Sequence, residues 1–97
     1  MALYAIEAVR WDANGTVSKL RWSPHWIDGS VPEYGVRAEV AVEEALAAIR
    51  HGAQAQPLVD GQFGPAVRPA QRLDGTATIT DDEHVDAGRD LASLPTF

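Results

Sequence analysis

Asp81, Asp82, Glu83, His84 and Asp86 form the densest group of side chains in this sequence able to hold a cation. Hard carboxylates beside one imidazole suit a divalent metal, and consecutive acids in a turn can converge on one ion. Their spacing matches no established ligand pattern, and a solvated acidic loop leaving a strand accounts for them without any ligand. Asp12, Asn14 and Thr16 open like a calcium loop. Such a loop requires Gly at its sixth position and Glu at its twelfth, where this chain has Val17 and Ser23. His25, His51 and His84 are scattered, with no pair at the i, i+4 spacing of a helical metal site. Ser18, Ser23, Ser30 and Ser93 lie in no nucleophile elbow. Gly61 and Gly64 lack the pattern of a phosphate-binding loop. With no cysteine, thiol catalysis, disulfides, thiolate zinc sites and iron–sulfur clusters are excluded. The expectation is a protein that is not an enzyme, carries no cofactor and has no evident small-molecule substrate.

Three tryptophans are many for 97 residues, and Trp is enriched where proteins bind partners. Trp22 is expected to pack beneath a helix. Trp26 sits in a Pro- and Gly-rich stretch and is either a core plug or part of an exposed patch. Trp11 is expected on the sheet face away from the helix, near Arg10 and Lys19. Aromatic and basic residues on an open sheet face can stack single-stranded nucleic acid, but they suit a protein partner or self-association better in a chain of net charge −6. Trp11, Trp26, Arg10 and Lys19 are therefore the candidate partner-binding residues.

These residues must be positioned by elements the sequence also encodes. Leu3 to Trp11 and Thr16 to Trp22 are rich in strand formers and flank Asp12-Ala13-Asn14-Gly15, which predicts a β-hairpin. A three-residue loop sets Ile6 opposite Trp22, Ala8 opposite Leu20, and Glu7 opposite Arg21. It keeps Arg10 from facing Lys19. That register places Tyr4, Ile6, Ala8, Leu20 and Trp22 on one face, with Val9, Trp11 and Val17 on the other. Residues 23 to 36 contain Pro24, Gly29, Pro32 and Gly35 and are expected to be a loop. Val42, Ala45, Leu46 and Ile49 fall on one helical stripe, with Glu39, Glu43 and Glu44 near its start and Arg50 and His51 near its end. Gly52 suits the left-handed cap. Strands are expected at Gln54 to Val59, Ala66 to Gln71 and Thr76 to Thr80, although Pro57 and Pro69 demote theirs to edges or irregular runs. In the tail, Asp90 can cap one helical turn so that Leu91, Leu94 and Phe97 fold back.

The expected architecture is one α+β domain over residues 1–97. It comprises an N-terminal β-hairpin, one amphipathic helix on an antiparallel sheet of four to five strands, and an ordered C-terminal tail. The run Ala5-Ile6-Glu7-Ala8-Val9-Arg10, then Asn14-Gly15, a helix closing on Ile49 and Gly52, and the ending Leu91, Leu94, Pro95 resembles a family of small bacterial proteins. That family is catalogued as a domain of unknown function, number thirty-eight ninety-two. The resemblance implies a compact α+β fold. It carries over no functional residue, because no activity is established for the group. The chain differs from the family at Thr76-Ala77-Thr78-Ile79, where an aromatic-Leu-Arg-Thr run would stand, and in a longer stretch from Ser23 to Gly35.

Apolar residues make up 45% of the chain and charged residues 23%, which suits a globular domain and argues against disorder throughout. Asp74, Asp81, Asp82, Glu83, Asp86 and Asp90 face Arg89 alone between residues 74 and 90. That stretch therefore carries most of the net charge of −6. Such a chain is repelled by phosphate backbones. Met1 to Trp11 has no basic leader and is interrupted by Glu7, so it suggests a strand rather than a secretory leader. No apolar run nears the roughly 20 residues that cross a bilayer. Together with the lack of cysteine, this points to a cytoplasmic protein. The functional expectation is a protein-interaction module. A divalent-metal protein built on residues 81–86 and a weak single-stranded nucleic-acid binder are the alternatives.

Overall fold

The computed structural model describes residues 2–29, 31–82 and 88–97. Strands β1 (Leu3–Trp11) and β2 (Val17–Asp28) pair antiparallel around a turn that its own side chains hold. The Asp12 N–H donates to Thr16 O at 2.8 Å, Gly15 N–H to Asp12 O at 3.1 Å, and Gly15 takes φ 76°. A side-chain carboxylate oxygen of Asp12 accepts from Asn14 N–H (2.9 Å) and Thr16 N–H (3.1 Å), so the turn leaves few backbone donors unpaired.

The β1–β2 ladder contains two insertions. Ile6 faces Trp22 but Ala8 faces Arg21, leaving Glu7 extra on β1. Arg10 faces Lys19 but Trp11 faces Val17, leaving Ser18 extra on β2. One inserted residue flips the in–out alternation of a strand. The expected two-face division therefore fails, because Ile6, Val9, Val17, Leu20 and Trp22 all enter one core. Arg10 lies opposite Lys19 after all. Glu7 pairs with Arg37 (2.6 Å) instead of facing Arg21.

The expected loop at residues 23–36 is also corrected. β2 continues to Asp28 and turns at Gly29 (φ 67°), and β3 (Val31–Tyr34) returns along it. Gly35 N–H donates to Pro24 O at 2.8 Å, which makes positions 24 and 35 a hydrogen-bonded pair. Two residues per repeat then place 32 in a non-bonded pair, with its nitrogen towards the open side. Pro24 lacks its half of the 24–35 pair, which is the end rung of this ladder, and Pro32 removes no rung, so the strands tolerate both.

β4 (Ala38–Ala41) pairs with the earlier half of β2 and leads into helix α1 (Val42–Arg50). Val42, Ala45 and Leu46 are buried, and each larger one contributes roughly 1.5–3 kcal/mol of hydrophobic stabilisation. Glu43 and Glu44 lie in the first turn and Arg50 in the last, as the helix dipole favours. Gly52 N–H bonds Ile49 O, Ala53 N–H bonds Ala48 O, and Gly52 at φ 100° closes a Schellman cap. After the helix, β5 (Gln54–Val59) runs parallel to β1, and β6 (Gln62–Phe63) folds back on β5. The sheet is thus mixed and six-stranded, in the order β3-β2-β1-β5-β6 with β4 also on β2, rather than antiparallel with four to five strands.

β7 (Arg68–Gln71) and β8 (Ala77–Thr80) form a separate two-stranded sheet against α1 and β2. Buried Thr78 donates from Oγ1 to Val17 O at 2.9 Å and ties this sheet to the first. Asp90 accepts from Ser93 N–H and caps one 3-10 turn (Leu91–Ser93), so Leu91 and Leu94 enter the core. Thr96 then lies parallel to Val9, with hydrogen bonds from Val9 N–H to Pro95 O and from Phe97 N–H to Val9 O.

Candidate functional site

Two places among the described residues carry the candidate chemistry, a cavity beside a polar clasp and an arm that exposes aromatic surface. The first lies between two turns of like construction. Asp12-Ala-Asn-Gly-Thr16 and Arg72-Leu-Asp-Gly-Thr76 each close by a bond from the first residue's N–H to the threonine carbonyl, with left-handed Gly15 (φ 76°) and Gly75 (φ 87°). Arg72 joins the turns. Its Nε donates to Asp12 Oδ2 (3.1 Å) and Thr16 Oγ1 (3.0 Å). Its Nη1 reaches Thr76 Oγ1 (3.1 Å) and Ala77 O (2.8 Å), and its Nη2 reaches Val17 O (2.8 Å). Hydrogen bonds from the Thr16 hydroxyl and backbone hold the Asp12 carboxyl down at about 2, with Arg72 adding to the effect.

Beside this clasp opens a cavity of about 260 Å³ lined by Trp11, Thr16, Gln71, Thr80, Asp81 and Leu91, among others. Asp81 accepts from Leu91 N–H at 2.8 Å. Burial pushes its carboxyl above the ordinary range, the Leu91 bond opposes this, and the charge of Asp90 adds to the rise.

The second place is the far end of β2. Leu3 is the last β1 residue paired there, opposite His25, so Trp26 to Asp28 extend beyond β1 with β3 as their partner strand. Trp26 is 50% exposed, and Val31, Tyr34 and Val36 are exposed nearby in the chain. Gly35 fits because it has no side chain: a Cβ there would sit 2.6 Å from Pro24 Cγ and 3.6 Å from Trp26 Cζ3. On the other face His25 is buried, stacked on Phe63 (4.6 Å between centroids) and tilted against Tyr34 (6.1 Å). Neither of its ring nitrogens, nor Ser23 Oγ, has a hydrogen-bond partner among the described residues. Burial lowers the His25 pKa.

The candidate residues are distributed as follows. Trp26 is on a strand rather than in a loop. Trp11 is half-buried against the core and lines the cavity, so it does not share a face with Arg10 and Lys19. Arg10 Nε donates to Phe97 O at 2.8 Å, and the guanidiniums of Arg10 and Arg21 sit 5.0 and 4.5 Å from the Phe97 ring centre. Lys19 Nζ is 4.0 Å from Glu39. Asp81 and Asp82 are described, whereas Glu83, His84 and Asp86 lie outside the described residues. Among the described residues no three His, Asp or Glu side chains come together as a metal site, and no helix is long and apolar enough to cross a membrane.

Arg72 was not among the expected site residues, and the sequence marked His25 only as an isolated histidine and Gly35 only as a chain breaker. For Arg72 a signal existed, since Gly-Thr recurs at the fourth and fifth positions of each turn. Comparison of the chain with family models, curated proteins and solved structures finds no match.

Proposed function

We propose that this protein is a non-enzymatic interaction module that docks a partner protein through the β2–β3 arm. The observation that carries this is Trp26, a half-exposed tryptophan on an arm beyond the body of the sheet. Solvating so large a ring has no structural return, whereas burying it against a partner supplies a binding anchor. The position of Pro32 favours side-chain docking over strand addition, because the open edge of β3 lacks one donor. Charge selects the partner. Exposed Glu33 lies opposite Trp26 and the chain carries −6, so two copies repel and a basic surface around an apolar centre is complementary. Support for binding over catalysis comes from His25, whose imidazole is sealed from solvent.

The test is selection of a random peptide library on the full chain, with Trp26→Ala as counter-target. Basic peptides with an apolar centre are expected, binding the variant at least about tenfold more weakly and losing affinity as salt rises. Peptides that bind Trp26→Ala equally well, or an acidic consensus, overturn the reading. Sedimentation showing a dimer that Trp26→Ala dissolves replaces it with self-association.

A further inference from the structure

We propose that the cavity between Trp11 and Asp81 is a binding site for a small organic cation, a primary or methylated ammonium with a short apolar body. The site is separate from the β2–β3 arm and does not depend on that arm's role.

The cavity holds a carboxylate with no counter-charge among the described residues. The Asp81 carboxylate is partly withdrawn from water and has, among the described residues, one hydrogen-bond donor, the Leu91 N–H. Among the described residues no Lys or Arg comes within ion-pair distance of it. The nearby cation, Arg72, is spent on Asp12, two threonine hydroxyls and two carbonyls. A carboxylate so placed either takes a proton or recruits a positive group. The rise in its pKa from burial and from Asp90 expresses the same lack of a counter-charge. Over a longer range, residues 74 to 90 carry six acids against one base, which raises the local concentration of cations.

The walls decide which cation. Trp11 lines the same cavity, and an indole face attracts a desolvated ammonium through its quadrupole. Ile79 and Leu91 supply apolar surface for carbon rather than ligand atoms for a metal. A hard divalent ion takes six or more oxygens, and one carboxylate already bonded to a backbone N–H does not meet that need. At about 260 Å³ the space is smaller than pockets that hold drug-sized ligands, so the cation is a small one.

The test titrates the full-length chain with choline and, separately, with its uncharged carbon isostere 3,3-dimethyl-1-butanol, followed by amide and indole NMR shifts. Choline is expected to give saturable shifts at the Trp11 indole, Thr80 and Asp81, with the isostere at least about tenfold weaker. Asp81→Asn keeps an oxygen for the Leu91 N–H and so retains the fold, but is expected to lose about tenfold or more in choline affinity. Trp11→Phe is expected to weaken choline by several-fold with the melting temperature little changed. No saturable shift, an equal response to the isostere, or unchanged affinity in a folded Asp81→Asn overturns the proposal.

Discussion

Arg72 and Asp12, sixty positions apart in the chain, meet through Nε and Oδ2 at 3.1 Å and fasten two separately folded turns together. The turn at Asp12 belongs to the large sheet and the turn at Arg72 to the small one. The rest of the guanidinium bonds Val17 O, Thr76 Oγ1 and Ala77 O, so a single side chain satisfies both turns and the start of β2. Trp11, Thr16 and Gln71 line the cavity from elements that this contact aligns.

Replacing Arg72 by Met is expected to destabilise the fold by about 2–3 kcal/mol, since carbonyls and a carboxylate lose their donors together. Arg72→Lys is expected to recover little of that loss, because one ammonium cannot span the directions of the planar fork. Urea denaturation of the three proteins checks this. A lysine variant as stable as the parent shows that charge alone holds the turns.

The helix was legible because Val42, Ala45, Leu46 and Ile49 recur at a spacing only a helix places on one side, and Gly52 marks its end. The strand at residues 23–28 was not, because proline is tolerated at the end rung of a ladder or where its nitrogen faces away from the partner, and both are properties of register. The two insertions were hidden for a related reason. An extra residue at Glu7 on β1 and another at Ser18 on β2 cancel, so nothing at the ladder's ends betrays the flip between them. That flip moved Val9 and Val17 into the core and set Trp11 beside the cavity. The cavity itself draws on three stretches far apart in sequence, and spacing rules operate only within one stretch.

Gly35→Ala tests how tightly the arm is built. Its Cβ would meet Pro24 Cγ at 2.6 Å, and a ring fixed to the backbone cannot swing aside as a flexible chain end can. The substitution is expected to cost roughly 1–3 kcal/mol, the range for overpacking. Amide exchange is expected to accelerate in β3 while β1 and β5 stay protected. Unchanged protection in β3 shows that the arm yields without strain.

His25 predicts how stability depends on pH. Among the described residues it pairs with Leu3 across the β1 ladder and Tyr34 on β3, and it stacks on the Phe63 ring of β6. Burial therefore lowers its pKa below the ordinary 6.5, with no anion opposing it among the described residues. The unfolded chain takes up the proton first as pH falls, so it binds more protons than the folded chain below that value. Stability is then at its full value above pH 6.5 and declines as the pH drops towards the folded pKa. Melting temperatures between about pH 7.5 and about pH 5 are expected to fall in the parent and to fall less in His25→Phe, which keeps the stacking on Phe63 but cannot be protonated. Parallel curves for the two proteins show that His25 takes up its proton as readily in the folded chain as in the unfolded one.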